Sequence, residues 1–191
     1  MIKLKHLLEQ SEIAAAAASE FPKKAKKAGS IASKFPRLAN NALHKDLIFK
    51  IPTGYWKVRN DDGGKGHYGA NRGSRKHHGV DLKTTLNQQM VAPIDGIVKR
   101  RKASSTSKLD GTMIQGTGKY KGYNVYMFYT RPNAEGSKVK QGDVVSKQLA
   151  LQRSNKGDYS EDVTDHTHIK ITFNGKTINP TIGSGNINWI V

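Results

Sequence analysis

Two regimes of apolar patterning divide the chain near residue 50. Lys5 to Glu20 carries Leu7, Leu8, Ile13 and a run of alanines, a helical composition with a short, weak apolar face, so the spacing predicts a marginal helix. From Phe21 to Lys50, lysine pairs, two Phe-Pro steps and Asn40-Asn41 alternate with isolated apolar residues such as Ile31, Leu38 and Leu43. Such a stretch buries too little to fold alone, which predicts an arm that docks on a partner or else a solvated basic tail, the apolar residues favouring the arm. After Ile51 the runs shorten and are separated by Gly, Asn and Asp. Gln89 to Lys99 predicts two short strands around a Pro93-Ile94-Asp95-Gly96 turn, and Tyr123 to Thr130 and His168 to Phe173 are rich in β-formers. Asn174-Gly175 then signals a hairpin. The expected architecture is an all-β domain over 51–191 behind a helical or irregular basic arm over 1–50.

Composition agrees with a globular β domain: of 191 residues, 36% are hydrophobic and 25% charged. No apolar run approaches the roughly 18 residues that span a membrane, and Ala14 to Ala18 is flanked by Glu9, Glu12 and Glu20. The expectation is a chain with no membrane span, made in the cytoplasm without a signal peptide. Thirty-two basic residues against 15 acidic give +17, of which +6 lies up to Lys50 and +11 after it. That excess favours a polyanionic partner, whether nucleic acid, anionic cell wall or an acidic protein surface. The tyrosines and basic residues match no nucleic-acid recognition motif, so nucleic acid rests on charge alone.

Cysteine is absent, which removes disulfides, thiolate metal sites and thiol nucleophiles together. Seven histidines and the carboxylates are the strong metal ligands that remain. Two patterns stand out: His77-His78-Gly79-Val80-Asp81 and His166-Thr167-His168. In a strand alternate side chains share a face, so the rings of His166 and His168 stand roughly 7 Å apart, one able to ligate a metal while the other reaches its open position. A histidine and Asp81 converge if the chain bends at Gly79, and spacing alone leaves His77 and His78 both open as that histidine. Two imidazoles and one carboxylate make a tetrahedral zinc site with one position free.

These patterns fall in a longer order: Arg75 to Leu82 (R-K-H-H-G-V-D-L), Val91 to Val98 (V-A-P-I-D-G-I-V), Val139 to Val145 (V-K-Q-G-D-V-V), His166 to Ile169, then Asn174-Gly175 and Asn179-Pro180. Five motifs in this order resemble the lysostaphin-type zinc metallopeptidases, the peptidoglycan endopeptidases. Gly66 to Arg72, Val125 to Pro132 and Leu149 to Gln152 resemble in particular the chemotaxin-like branch of that superfamily. The disulfides of those secreted relatives have no counterpart here. The resemblance covers nearly everything after residue 50 and implies two packed antiparallel sheets, Zn2+ held by His77, Asp81 and His168, and His166 beside the open position.

Active members of that superfamily place a second histidine at the end of a strand that corresponds here to Tyr126 to Thr130. Between Gly79 and Asp165 there is no histidine at all. Tyr129 takes the position, or Phe128 if the register slips by one, as tyrosine does in the chemotaxin-like proteins. A phenol with an ordinary pKa near ~10 donates a hydrogen bond but is no base at neutral pH. His67 stands outside the motif, and a fold-back of its ring into the cleft would supply an alternative. The expected function is a zinc-binding, peptidase-like module with a degenerate catalytic site, a structural or wall-binding component of a phage virion. The arm over 1–50 would dock on other virion proteins, and the domain would meet peptidoglycan or another polyanion. The alternative is an active endopeptidase that cuts cross-bridge peptides.

Overall fold

The structure, a computed structural model, describes residues 47–103, 107–152, 157–182 and 187–191. The marginal helix and the docking segment expected up to residue 46 lie outside the described residues. Along the chain the strands are β1 (Ile48–Lys50), β2 (Asn60–Asp61), β3 (Gly64–Lys65), β4 (Asn71–Arg72), β5 (Arg75–Lys76), β6 (Val80–Lys83), β7 (Gln89–Val91) and β8 (Gly96–Lys102). They continue with β9 (Asp110–Gly116), β10 (Tyr123–Phe128), β11 (Thr130–Pro132), β12 (Lys138–Val139), β13 (Val144–Gln148), β14 (His166–Phe173), β15 (Lys176–Ile178) and β16 (Asn188–Ile190). A single 3-10 turn, Gly118–Tyr120, is the one helical element among the described residues, and no helix there is long and apolar enough to cross a membrane.

Seven strands form the main sheet in the order β12-β8-β9-β10-β14-β15, with β6 also paired to β14. A three-stranded sheet, β11-β13-β7, and the β2-β3 and β4-β5 hairpins complete the antiparallel architecture. The predicted turn around Pro93 to Gly96 separates β7 from β8, and Asn174 and Gly175, both with positive φ (48° and 80°), make the tight turn from β14 to β15.

Period-two alternation decides what each face carries. In β10, Tyr123, Val125 and Met127 are buried while Asn124, Tyr126 and Phe128 are only partly so. In β14, Thr167, Ile169 and Ile171 turn into the core, where they join Val80, Leu82, Ile114, Val125 and Met127. His166, His168 and Lys170, at the alternate positions, share the opposite face. The apolar pattern that closes the core thereby aligns the chemically active residues on the sheet's outer side.

One pairing departs from the antiparallel expectation. β1 runs parallel to β16, with Phe49 opposite Trp189. Phe49 is fully buried, edge-on to Tyr120, Tyr123 and Trp189 at centroid distances of 5.6, 5.4 and 5.8 Å. Burial of a phenylalanine stabilises by about 1.5–3 kcal/mol. Ile48 to Lys50, which the sequence pattern places at the end of the arm, pair with β16 as β1. Of the apolar residues at the end of the predicted arm, Phe49 is a core residue, Leu47 packs partly buried against that core and Ile48 is exposed.

Candidate metal centre and cleft

His168 in β14 and Asp81 in β6 sit directly opposite each other in register. His77, one residue past β5, reaches the same point. The Asp81 Oδ1 lies 2.8 Å from His168 Nδ1 and 3.1 Å from His77 Nε2, and the two ring nitrogens are 2.9 Å apart. These three residues form the potential metal-binding group of the described chain. His77 Nδ1 lies 2.8 Å from the His67 carbonyl, which only accepts, so Nδ1 carries the proton and Nε2 turns its lone pair to the cluster. A tetrahedral ion about 2.0–2.1 Å from each donor needs donors roughly 3.3 Å apart. The triangle fits zinc after opening by a few tenths of an ångström, and its mixed imidazole and carboxylate chemistry suits that ion.

Gly79 supports this cluster differently from the sequence expectation. It is absent from the positive-φ residues, so it supplies no left-handed bend. A Cβ there would stand 2.6 Å from His168 Nε2 and 2.5 Å from the Ile169 carbonyl, so the missing side chain is the space in which the imidazole lies. Gly66 does the same for Asp81, whose Cβ would meet an added methyl at 2.8 Å.

Asp81 is 3% exposed and its carboxylate is surrounded by donors. Oδ2 accepts from Arg59 Nη2 at 3.2 Å and from Arg72 Nη2 at 3.1 Å, and Asp61 holds Arg59 from behind at 2.5 Å. Burial alone would raise the Asp81 pKa, but its hydrogen bond with His168 and the nearby imidazoles hold it well below the carboxylate range. His166 is buried with Nδ1 2.7 Å from the Thr164 carbonyl and Nε2 3.9 Å from Asp81 Oδ2. Its desolvation pulls the imidazole down to about 4, against the opposing pull of Asp81, so the ring is neutral at pH 7.

Tyr129 and Phe128 both line the cleft, in different places. Phe128 faces His168 across the strand pair, with centroids 5.8 Å apart. Tyr129 stands edge-on to His166 at 5.3 Å, and its hydroxyl lies 2.5 Å from that of Tyr159. Burial and the adjacent Tyr159 push the Tyr129 phenol well above its ordinary pKa. The chain leaves the main sheet at Tyr129 with φ of 67°, its N–H donating to Asp110 and its carbonyl accepting from Leu149. That left-handed backbone costs a tyrosine about 1–2 kcal/mol and fixes where the ring points.

His78 is exposed on the cleft rim, whereas His67 lines a separate hollow with Gly64, Lys65 and Lys76 and meets the cluster through its carbonyl alone. The fold-back of the His67 ring is thereby excluded in this arrangement. The sequence reading did not single out Arg59, Asp61 or Tyr159, and it included Arg72 only as the end of the Gly66 to Arg72 motif. The cleft itself holds about 410 Å³. A larger hollow of about 740 Å³, lined by Gln115, Asn124, Phe173 and Asn174 among others, contains none of the candidate ligands.

An antiparallel β domain with a His-Asp-His cluster at the base of an open cleft is the arrangement of a lysostaphin-type metallopeptidase. Residues 75–180, more than half of the chain, match Peptidase family M23, and the chain belongs to that family. It is 32% identical over 130 residues to the leukocyte cell-derived chemotaxin-2 homolog of Caenorhabditis elegans, covering 63% of this chain and 37% of that protein. With leukocyte cell-derived chemotaxin-2 of Bos taurus it is 28% identical over 118 residues, 60% of this chain and 72% of that one. Among solved structures, a zinc-containing peptidase from Vibrio cholerae superimposes with a TM-score of 0.50 at 15% identity, covering 69% of this chain and 38% of that one. The catalytic domain of lysostaphin from Staphylococcus simulans gives 0.47 at 15% identity over 65% of this chain and 89% of that one. The chain thus spans little more than a third of the worm and Vibrio proteins.

Proposed function

We propose that the chain is a zinc-binding M23 module with a degenerate catalytic site, which recognises peptidoglycan peptides without cutting them efficiently. The observation that carries this reading is Tyr129: a buried phenol, tied to Tyr159 and edge-on to His166, at the position to which the sequence resemblance assigns the second imidazole of active members. His77, Asp81 and His168 would hold the zinc. A bound zinc ion supplies Lewis acidity toward a peptide carbonyl or a water molecule. His166, neutral and with its Nδ1 proton fixed on Thr164, presents Nε2 to the cleft as a proton acceptor. Tyr129 and Tyr159 stay protonated and donate hydrogen bonds, so the cleft has one base where efficient hydrolysis uses two groups. Loss of one acid-base group lowers rate by about 10² to 10⁴.

His166 also favours a second reading, slow endopeptidase activity, since its position and protonation suit catalysis. Zinc-loaded protein incubated with purified cell walls separates the two. Binding with peptide release at background supports the degenerate module. Release at rates typical of an active enzyme, abolished by His166→Ala, establishes the endopeptidase instead. The virion role remains part of the proposal, supported by the basic charge and the lack of cysteine. Co-purification of the chain with intact particles tests it.

A further inference from the structure

The charges around the cleft do not balance. Asp81 is the single acidic side chain among its described lining residues, and both its oxygens are already engaged, Oδ1 by His77 and His168 and Oδ2 by Arg59 and Arg72. Asp61 is spent on Arg59. Arg75, from the β4-β5 hairpin, and Lys170, on the outer face of β14, line the same cleft and have no acidic partner among the described residues. Lys170 is instead held over the Tyr126 ring, its Nζ 5.8 Å from the centroid. A bound divalent ion would add to this excess.

Uncompensated cations that line a concave, partly water-excluded site attract anions more strongly than the same groups on an open surface. The other polar groups in the cleft include the phenols of Tyr129 and Tyr159, which remain protonated and so can donate hydrogen bonds. At about 410 Å³ the cleft takes a few amino-acid residues, whereas a nucleic-acid backbone presents its phosphates along an extended surface.

We propose that this cleft is a receptor for an acidic peptide, in which Arg75 and Lys170 engage peptide carboxylates beside the His77-Asp81-His168 cluster. The inference deepens the reading of the site as a non-hydrolysing M23 module and rests on it. It assigns Arg75 and Lys170 to specificity: neither forms an ion pair with Asp81, and both choose which peptides enter. A guanidinium gives a planar fork to a carboxylate and an ammonium a point charge, so the two together favour carboxylates over neutral peptide ends.

The test uses the full chain after zinc loading, with its zinc content measured by elemental analysis. Binding of a fluorescent Ala-Glu-Ala peptide with a free C-terminus is compared with that of its amidated Ala-Gln-Ala counterpart at low ionic strength. The acidic peptide should bind at least tenfold more tightly. The Arg75→Gln, Lys170→Gln double variant should lose that preference while keeping its zinc. Equal affinity for the two peptides overturns the proposal, as does a preference that survives in the double variant. Displacement of the acidic peptide by a short oligothymidylate at a lower concentration than by unlabelled peptide also overturns it, in favour of nucleic acid. Failure of the underlying reading looks different: the unmodified chain takes up no zinc, or it releases wall peptides rapidly.

Discussion

The Tyr129 phenol stands beside His166 in the cleft that also holds the His77-Asp81-His168 cluster. Its left-handed φ of 67° is imposed by the exit from β10, so any residue at 129 is aimed into the cleft beside His166. Histidine is among the residues enriched in that backbone region, so Tyr129→His should fold without new strain. The variant should release peptides from purified walls at least tenfold faster than the parent, measured as soluble amines over time. An unchanged rate would show that Tyr129 is not what keeps the cleft idle. His168→Ala should abolish stoichiometric zinc, because it leaves two donors in a site that needs three, and elemental analysis of the purified variant checks this. The spacings that bring His166, His168 and Asp81 forward are local, alternate positions of one strand and a few residues across a glycine, but they leave His77 and His78 equivalent, and only the resemblance in the wider order of motifs favours His77. Arg59 and Tyr159 could not be read from the chain, since each reaches the site from an element with no motif of its own and is defined there only by what it touches, and Arg72 was visible only as the end of the Gly66 to Arg72 motif, with no role attached.

At the scale of elements, β6 and β14 form the scaffold of the cluster, and Gly79 is the point where their packing becomes chemistry. A methyl group there would intrude on the His168 ring and on the Ile169 carbonyl together, so a rotamer change of His168 alone cannot relieve both contacts and β14 itself would have to move. Gly79→Ala should therefore weaken zinc binding by about 10- to 100-fold, the range seen when support behind a metal ligand is lost. Competition with a chromophoric chelator would measure it, and parental affinity in the variant would mean that His168 is not held against this glycine. The β-rich segments Tyr123 to Thr130 and His168 to Phe173 and the Asn174-Gly175 turn are found close to where the pattern predicts them, since alternation and turn chemistry act within a few residues. The kink at Tyr129 divides the first of these segments between two sheets, with β10 in one and β11 in the other. No sequence signal marks it, because tyrosine is not a residue that ordinarily turns a chain.

For the molecule as a whole, the closing contact is the one between β1 and β16. Their pairing joins Ile48 to Asn188 and seats Phe49 under Trp189, a parallel and distant contact that no alternation pattern reveals. A chain that starts at residue 47 should be markedly more stable than one that starts at 51, because the shorter version loses the Phe49 side chain from the core. Phe49→Ala in the full chain should cost about 3–5 kcal/mol, read as a lower midpoint in urea denaturation. Equal midpoints for the two truncations would place β1 outside the cooperative unit. The same contact ties folding to time. At roughly 5–20 residues per second, the partner of β1 leaves the ribosome on the order of 10–30 s after β1 itself. Until then Phe49 has no Trp189 to pack against, and an early apolar strand waits in the company of chaperones or of other nascent chains. The yield of soluble protein should therefore rise when the cell's capacity to shelter unfinished chains is raised, read as the soluble fraction at equal expression.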